Sequence, residues 1–498
     1  MQTITLAMSV DDIIGKVQDA VWGWPLIILI LAAGVWLTVR TGFVQVRHLG
    51  KALKFMVKNE DNGEGEVTSF GALCTALSAT IGTGNIVGVA TAICLGGPGA
   101  LLWMLLAAFF GMATKYSEGF LAIKYREKKD DSHYLGGPFY YIEKGMGSKW
   151  KWLAKLFAVF GICVGLFGIG TFTQINGIAT AVQDFFDPKS AHVAFTLFGN
   201  DYTWATVIGG LVVTLCVALV VLGGIQRIAK VSQVIVPFMA ITYVVFALII
   251  VLGHITAIPA AVKLICQSAF DPQAALGAAT GVTIKLAMQK GIGRGIFSNE
   301  AGLGSAPIAA AAAKTKDTVR QGLVTMTGTF IDTIVICTLT GLSIVVTGAQ
   351  NAFVAGSVEG VKITSRAWQT GLPWNGRFSA FVLMVCLAFF AFTTILGWNY
   401  YSERCLEYLV GSQKFTKVYR YLYILAVFIG PYLTVAAVWN IADICNGLMA
   451  FPNLIALVCP VRGGWQGDES LFCRKTPRLK SQWRRIKNKL KFYSFQRL

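Results

Sequence analysis

The amino-acid sequence predicts an all-α polytopic membrane protein whose core repeats a unit of five helices. Three observations lead there: an apolar composition, a one-sided distribution of basic residues, and two motifs that recur at a single offset. Of the 498 residues, 55% are hydrophobic and only 14% are charged, against about a quarter charged in soluble globular chains. A surface that apolar is satisfied by lipid rather than water. About 20 apolar residues carry a helix across a bilayer, and eleven stretches qualify. Numbered from 0, the spans are 24–42, 68–95, 99–124, 153–183, 203–224, 230–254, 275–313, 320–348, 375–408, 419–439 and 441–461. Span 6, at 275–313, is too long for one simple crossing and is broken by glycines. The polar stretch before span 0, with Asp11 and Asp12, lacks a basic leader and an evident cleavage site, so no removable signal peptide is expected.

The loops give the orientation. With the N-terminus outside, the inner segments are 40–66, 124–155, 225–230, 314–320, 403–420 and the tail beyond 461. They hold 33 of the 43 Lys and Arg residues, and the outer segments hold six. Basic residues concentrate on the cytoplasmic side, so the expected protein lies in a bacterial inner membrane, N-out and C-in. The net charge of +18 then sets topology, and nucleic acid is not an expected partner. The expected layout is an N-terminal segment with one extra span at 1–66, a core at 67–465 with helices 1–5 at 68–254 and helices 6–10 at 275–461, and a basic tail at 466–498. That tail reads as a cytoplasmic helix on anionic lipid. Eleven cysteines form no CxxC pair and the four histidines are scattered, so no metal cluster or other cofactor is expected. The chain also shows no nucleophile–base set and no GxxxxGK[ST] phosphate loop, which argues against an enzyme or an ATP-driven pump.

The repeat has an offset of 220 residues. Gly82-Thr83-Gly84-Asn85 in span 1 recurs as Gly302-Leu303-Gly304-Ser305 in span 6. Phe172-Thr173-Gln174-Ile175-Asn176-Gly177 in span 3 recurs as Phe392-Thr393-Thr394-Ile395-Leu396-Gly397 in span 8. Five is odd, so the two halves cross the membrane in opposite senses. Inverted repeats with interrupted helices at matching places are a signature of secondary transporters. The competing explanation is close packing of small residues, which Gly84 and Gly88 also fit.

Two glycines separated by one residue mark where a helix unwinds, each costing about 1 kcal/mol relative to alanine. Unwound backbone is tolerated at membrane depth only where it lines a cavity. There its free amides attract a carboxylate and its free carbonyls attract an ammonium group or a hard cation. Thr80, Thr83, Asn85, Ser298, Thr393 and Thr394 bring side-chain oxygens to the two breaks and their matched helices. Arg294, Glu300 and Asp332 are ionisable groups at membrane depth and so candidates for function; Glu300 could pair with a basic residue, cap a half-helix or carry a proton. Lys115 and Glu118 read as a snorkelling ion pair near the inner end of span 2.

At these residues the sequence resembles the alanine or glycine:cation symporter family. The stretch Ser78-Ala-Thr-Ile-Gly-Thr-Gly-Asn-Ile-Val-Gly-Val-Ala-Thr91, Lys115-Tyr-Ser-Glu118, the run Gly136 to Gly147 and Ser298-Asn-Glu-Ala-Gly-Leu-Gly-Ser-Ala-Pro307 carry the likeness. The resemblance implies the leucine-transporter fold with one added N-terminal helix, and uptake of a small amino acid driven by sodium or protons. It also implies a site. Gly82, Thr83, Gly84, Gln174, Phe297, Ser298, Gly302, Thr394 and Trp398 would surround the substrate, with Trp398 a bulky wall favouring small side chains. One sodium would meet the carbonyls of Ser78 and Ile81 and the hydroxyls of Thr393 and Thr394. A second would lie among Thr80, Asn85 and Ser298.

The function expected is sodium-coupled import of alanine or glycine by a monomer, through alternating access. Two rivals are a proton-coupled transporter of the same fold, with Glu300 or Asp332 as carrier, and a sensor that binds without transporting.

Overall fold

The computed structural model describes residues 10–58, 63–130, 133–197, 200–272, 282–352 and 360–459. The basic tail at 466–498 and the start of span 6 lie outside the described residues. The chain opens with α1 (Val10–Val21) and α2 (Trp24–Arg40). Span 1 is two helices, α3 (Ser69–Thr80) and α4 (Gly84–Gly96), set at 51°. Then come α5 (Gly99–Tyr125), α6 (Lys151–Phe167), α7 (Phe172–Phe186), α8 (Trp204–Val221), α9 (Gly224–Gly253) and α10 (Ile258–Phe270). Span 6 is α11 (Ile284–Asn299) and the short α12 (Ala306–Ala310). The rest is α13 (Thr318–Val346), α14 (Gly360–Gly371), α15 (Gly376–Val410), α16 (Thr416–Ile429) and α17 (Val435–Val458). Two hairpins, Glu127–Asp130 with His133–Leu135 and Val193–Leu197 with Asn200–Thr203, decorate the loops.

Eight of these segments are long and apolar enough to span a bilayer, and α3 with α4 makes a ninth. α11 and α16 are the expected spans that fall short of that test. α11 carries Lys285, Lys290 and Arg294, and α16 has 14 residues. α16 ends at Ile429 because Gly430-Pro431 cannot continue it; Thr434 then caps α17 through the amide of Ala437. Spans 9 and 10 therefore divide several residues earlier than expected. Span 3 was expected as one helix but is interrupted at 168–171, where the amides of Gly168 and Gly170 both reach back to the Val164 carbonyl.

The outer helices show why the sequence is so apolar. Along α8, Ile208, Leu211, Leu215 and Leu219 recur every three or four residues and are all exposed. In water such a stripe would be an aggregation site; facing lipid it is the ground state. Inside the bundle α3 and α4 are buried almost throughout, as is α11 from Gly291 onward.

The ends of the two broken helices are tied together. The chain entering α3 runs beside the chain leaving α12, with Lys314 N–H donating to Val67 O at 2.8 Å and Glu66 N–H to Ala312 O at 2.8 Å. Arg126, just past α5, donates to the carbonyls of Glu64, Ala311, Ala313 and Thr315 at 2.6–2.8 Å. Its planar fork spans both chains. Arg126→Gln should cost about 2 kcal/mol, the scale of hydrogen bonds to a charged donor, and Arg126→Lys should not restore it because an ammonium lacks the fork. Thermal unfolding in detergent measures this; an unchanged midpoint would show that the tie is dispensable.

Candidate substrate and cation site at the two broken helices

The first break lies between α3 and α4. Ile81 leaves the helix with extended backbone, and Gly84–Gly88 rewinds as a π-helical turn. The freed amides are caught by side chains. Gly82 N–H donates to Asn85 Oδ1 at 2.9 Å, and Thr83 N–H donates to Gln174 Oε1 of α7 at 3.0 Å. Gln174 is itself oriented by the Ile169 carbonyl, exposed by the break between α6 and α7, which accepts from its Nε2 at 3.0 Å. The Thr83 hydroxyl is buried without a hydrogen-bond partner among the described residues. A Cβ at Gly82 would lie 2.5 Å from Thr394 Oγ1 and 2.9 Å from Gln174 Oε1, and one at Gly84 would lie 3.0 Å from Ser298 Cα. The glycines are thus what lets α7, α11 and α15 close on the break.

The second break lies between α11 and α12. Glu300, Gly302 and Gly304 all take left-handed backbone, with φ of 56°, 91° and 81°, which glycine adopts without strain and other residues rarely do. Here the freed groups meet fixed partners. Gly302 N–H donates to Glu118 Oε1 at 3.2 Å, and Asn453 donates to both Gly302 O and Glu118 Oε1 at 2.8 and 2.7 Å. Glu300 accepts from the Trp398 indole at 2.7 Å and from Ser305 at 2.5 Å.

The structure brings together most of the residues expected at the site, in two groups. Around the first break lie Gly82, Thr83, Gly84, Gln174, Phe297, Ser298 and Thr394, all buried. Thr394 Oγ1 sits 3.2 Å from the Ile81 carbonyl, and Ser78 meets α15 at Gly397, where an added Cβ would fall 2.8 Å from Ser78 Oγ. Thr393 is turned to its own helix, donating to the carbonyls of Phe389 and Phe390 and approaching Met239 Sδ. Thr80 likewise donates back to Ala76 O. Gly302 and Trp398 belong to the second group, with Glu118, Glu300 and Asn453.

One reading changes. Lys115 and Glu118 are not a snorkelling pair: they are 2% and 0% exposed, and Glu118 holds the second break. Asp332, a candidate by its depth, has partners on other helices. It lies on a π-helical stretch of α13, Phe330–Cys337, and its carboxylate accepts from Asn85 Nδ2 at 2.7 Å, Ser298 Oγ at 2.8 Å and Thr333 Oγ1 at 2.7 Å. It therefore joins α4 to α11 at the expected second cation position. π-Helical turns occur frequently at functional sites, and here two of them meet.

On one side of the first break an aromatic lid covers it. Phe297 packs on Trp439 of α17 with centroids 4.8 Å apart, Arg294 lies 4.4 Å over the Trp439 ring, and Arg294 Nη1 donates to Asp443 Oδ1 at 3.0 Å. A second clamp gathers at the loop end of α15. Arg404 bonds Glu66 at 3.0 Å and Glu407 at 2.9 Å, and His133 sits 2.8 Å from Glu407 and 3.2 Å from Glu66.

A bundle of apolar helices with a broken-helix site at its centre defines a multi-pass membrane transporter rather than an enzyme. Its fold is that of MhsT, whose crystal structure was solved in complex with L-phenylalanine. The two superpose with a TM-score of 0.55 at 12% identity, over 78% of this chain and 89% of that one. The chain belongs to the sodium:alanine symporter family, whose model matches residues 7–462, and so is a cation-coupled amino-acid symporter. It is 53% identical to an uncharacterized transporter of Haemophilus influenzae, over 91% of this chain and 94% of that one. It is 45% identical to the sodium/alanine symporter AgcS of Methanococcus maripaludis, over 91% of this chain and 95% of that one.

The clamp carries a pH dependence. Hydrogen bonds to Glu407 and then Glu66 favour the protonated His133 imidazole, outweighing burial and the nearby Arg404, and push it up to about 9 from 6.5. A group raised on folding contributes stability that is complete below its unfolded pKa and is lost as pH rises through the folded one. The thermal-midpoint difference between the unaltered chain and His133→Gln should therefore be largest near pH 6.5 and fade towards pH 9 and above. A difference constant across that window would show that His133 is not charged in the clamp.

Proposed function

We propose that the protein imports a small neutral amino acid, alanine or glycine, together with sodium, by alternating access. The observation that carries this reading is the pair of amides at Gly82 and Thr83, turned out of their helix at membrane depth and held only by the neutral side-chain oxygens of Asn85 and Gln174. A carboxylate accepts from such amides more strongly than a neutral amide oxygen does, so a substrate carboxylate displaces Gln174. The Thr83 hydroxyl adds a further donor. Thr394, Ser298 and Phe297 stand within 3.2 Å of where side chains at Gly82 and Gly84 would begin, which leaves room for a small side chain only. Trp398, fixed on Glu300, closes the second break below it.

Two cations have matching oxygens. The first takes the Ser78 and Ile81 carbonyls with the hydroxyls of Thr394 and, after rotation, Thr393, pinning α3 to α15. The second takes Asp332, Ser298 and Asn85, with Thr80 at the edge. A carboxylate at this depth is costly unless neutralised; Asn85, Ser298 and Thr333 solvate it without supplying positive charge, and a sodium ion supplies it. The arrangement fits eleven spans, an N-out extra helix followed by five-plus-five inverted repeats, in a monomer of the bacterial inner membrane, with the core at 67–465 and the tail at 466–498 inside. Membrane potential contributes about 2.3 kcal/mol per charge at 100 mV, and a tenfold sodium gradient about 1.4 kcal/mol. One net charge then supports accumulation on the order of a few hundredfold.

Purified protein in liposomes, offered a panel of small amino acids under a sodium gradient, tests the reading. Alanine or glycine should accumulate and the uptake should vanish when potassium replaces sodium. Uptake that survives the replacement and follows a pH gradient would transfer the coupling role to a proton. Asp332→Asn should raise the half-saturating sodium concentration about tenfold and lower the Hill coefficient for sodium by about one; tenfold is the loss of one charge-assisted contact. An unchanged sodium curve with full uptake would remove Asp332 from the ion path.

A further inference from the structure

We propose that the N-terminal helix α1 is a latch on the aromatic lid, with Gln18 and Trp22 as the residues that position it. This rests on the alternating-access reading, in which the lid must part for the site to open on that side. Four observations carry it.

Asp443, the acid of the lid's ion pair, is shared. Its Oδ1 accepts from Arg294, while its Oδ2 accepts from Gln18 Nε2 at 3.3 Å. The carbonyl of Asp443 accepts from the Trp22 indole at 2.8 Å. One residue of α17 is thus held at three points, two of them from the N-terminal segment. That segment also grips the opposite helix. Gln289 of α11 donates to the Trp22 carbonyl at 3.2 Å, and a Cβ at Gly293 would lie 3.6 Å from the Trp22 ring. The corner between α1 and α2 is seated by a gap in α17: a Cβ at Gly447 would fall 2.4 Å from Val21 Cγ1 and 3.2 Å from Leu26 Cδ2. Finally, the spacing suits the task. Trp22, the first residue past α1, donates its N–H to the Gln18 carbonyl at 2.9 Å and so continues the helical face of Gln18, and both are buried while Val17, Asp19 and Ala20 are exposed.

The geometry follows directly. Arg294 on α11 and Asp443 on α17 are the two sides of the lid, and the α1–α2 corner bonds both sides at that level. Separating the helices breaks the ion pair, and it also breaks the bonds of Gln18 and Trp22 on one side or those of Gln289 on the other. Releasing the corner first leaves the lid with only the Arg294–Asp443 pair and the contacts of Phe297 and Arg294 with the Trp439 ring. Lid opening is then limited by departure of the corner.

A native thiol reports the opening. Cys337 lies under the lid, 3.4 Å from both Asn85 Nδ2 and Ser298 Oγ, and is buried. The full chain in liposomes is treated from the α1 side with a membrane-impermeant methanethiosulfonate, and modification of each cysteine is followed by mass mapping. Trp22→Phe keeps the ring and removes one donor, so Cys337 should react about fivefold faster; Gln18→Ala should act in the same direction, and Trp22→Ala should exceed tenfold. Cys386 and Cys405, buried elsewhere in α15, should keep their rates. Cys337 rates unchanged in both Trp22→Phe and Gln18→Ala would overturn the latch, as would an equal acceleration at Cys386 and Cys405, which marks general loosening. Alanine should slow Cys337 modification in the unaltered chain; indifference to alanine there would overturn the transport reading itself, and the latch with it.

Discussion

A peptide group released from a helix inside a bilayer must find another partner, because lipid offers none. Every feature of the centre of this protein follows from how that demand is met. At the break between α3 and α4 the partners are the neutral side-chain amides of Asn85 and Gln174. At the break between α11 and α12 they are Glu118 and Asn453, which hold both the amide and the carbonyl of Gly302. A neutral side-chain acceptor is readily exchanged for a carboxylate; a carboxylate already in place is not. In the proposed function the chemistry of the partners assigns the ligand to the first break and leaves the second with its own fixed fittings. The interruption between α6 and α7 serves the first, since the carbonyl it frees at Ile169 orients Gln174.

Charge is distributed with the same economy. Arg294 with Asp443 joins α11 to α17, and Arg404 with Glu407 and Glu66 joins α15 to the segment that enters α3. Asp332 has donors but no bonded cation among the described residues. A structural acid in this position would be expected to carry a basic partner, as the other two sets do. In the proposed function its one amide and two hydroxyls are the donors that a hard cation replaces. The two π-helical turns, Gly84–Gly88 and Phe330–Cys337, lie on either side of this contact, where the extra residue per turn offsets Asn85 and Asp332 from the regular helical faces.

Much of this was legible in the sequence because lipid imposes simple rules. The apolar runs, the glycine pairs at 82–84 and 302–304 and the acids at membrane depth are all visible without a fold. Gln174, Thr394 and Trp398 entered the expected site through the family resemblance, and Gln174 and Thr394 also lie in the matched motifs. Partners brought by other helices were not. Nothing in the linear pattern says that Glu118 reaches Gly302, that Trp398 donates to Glu300, or that Thr393 turns away from α3 while its neighbour turns towards it. The break at 168–171 did have a signal, Gly165, Gly168 and Gly170 in close succession, but an apolar flank on both sides hid it within one long span. Pro431 similarly marked the end of α16 inside what reads as continuous apolar sequence.

The exchange of Gln174 for a substrate carboxylate is tested most directly by an experimental structure of the chain with sodium and alanine bound. The alanine carboxylate should lie within hydrogen-bond distance of the Gly82–Gly84 amides, with Gln174 swung away from Thr83. Alanine bound elsewhere, with the Thr83–Gln174 bond intact, would contradict it.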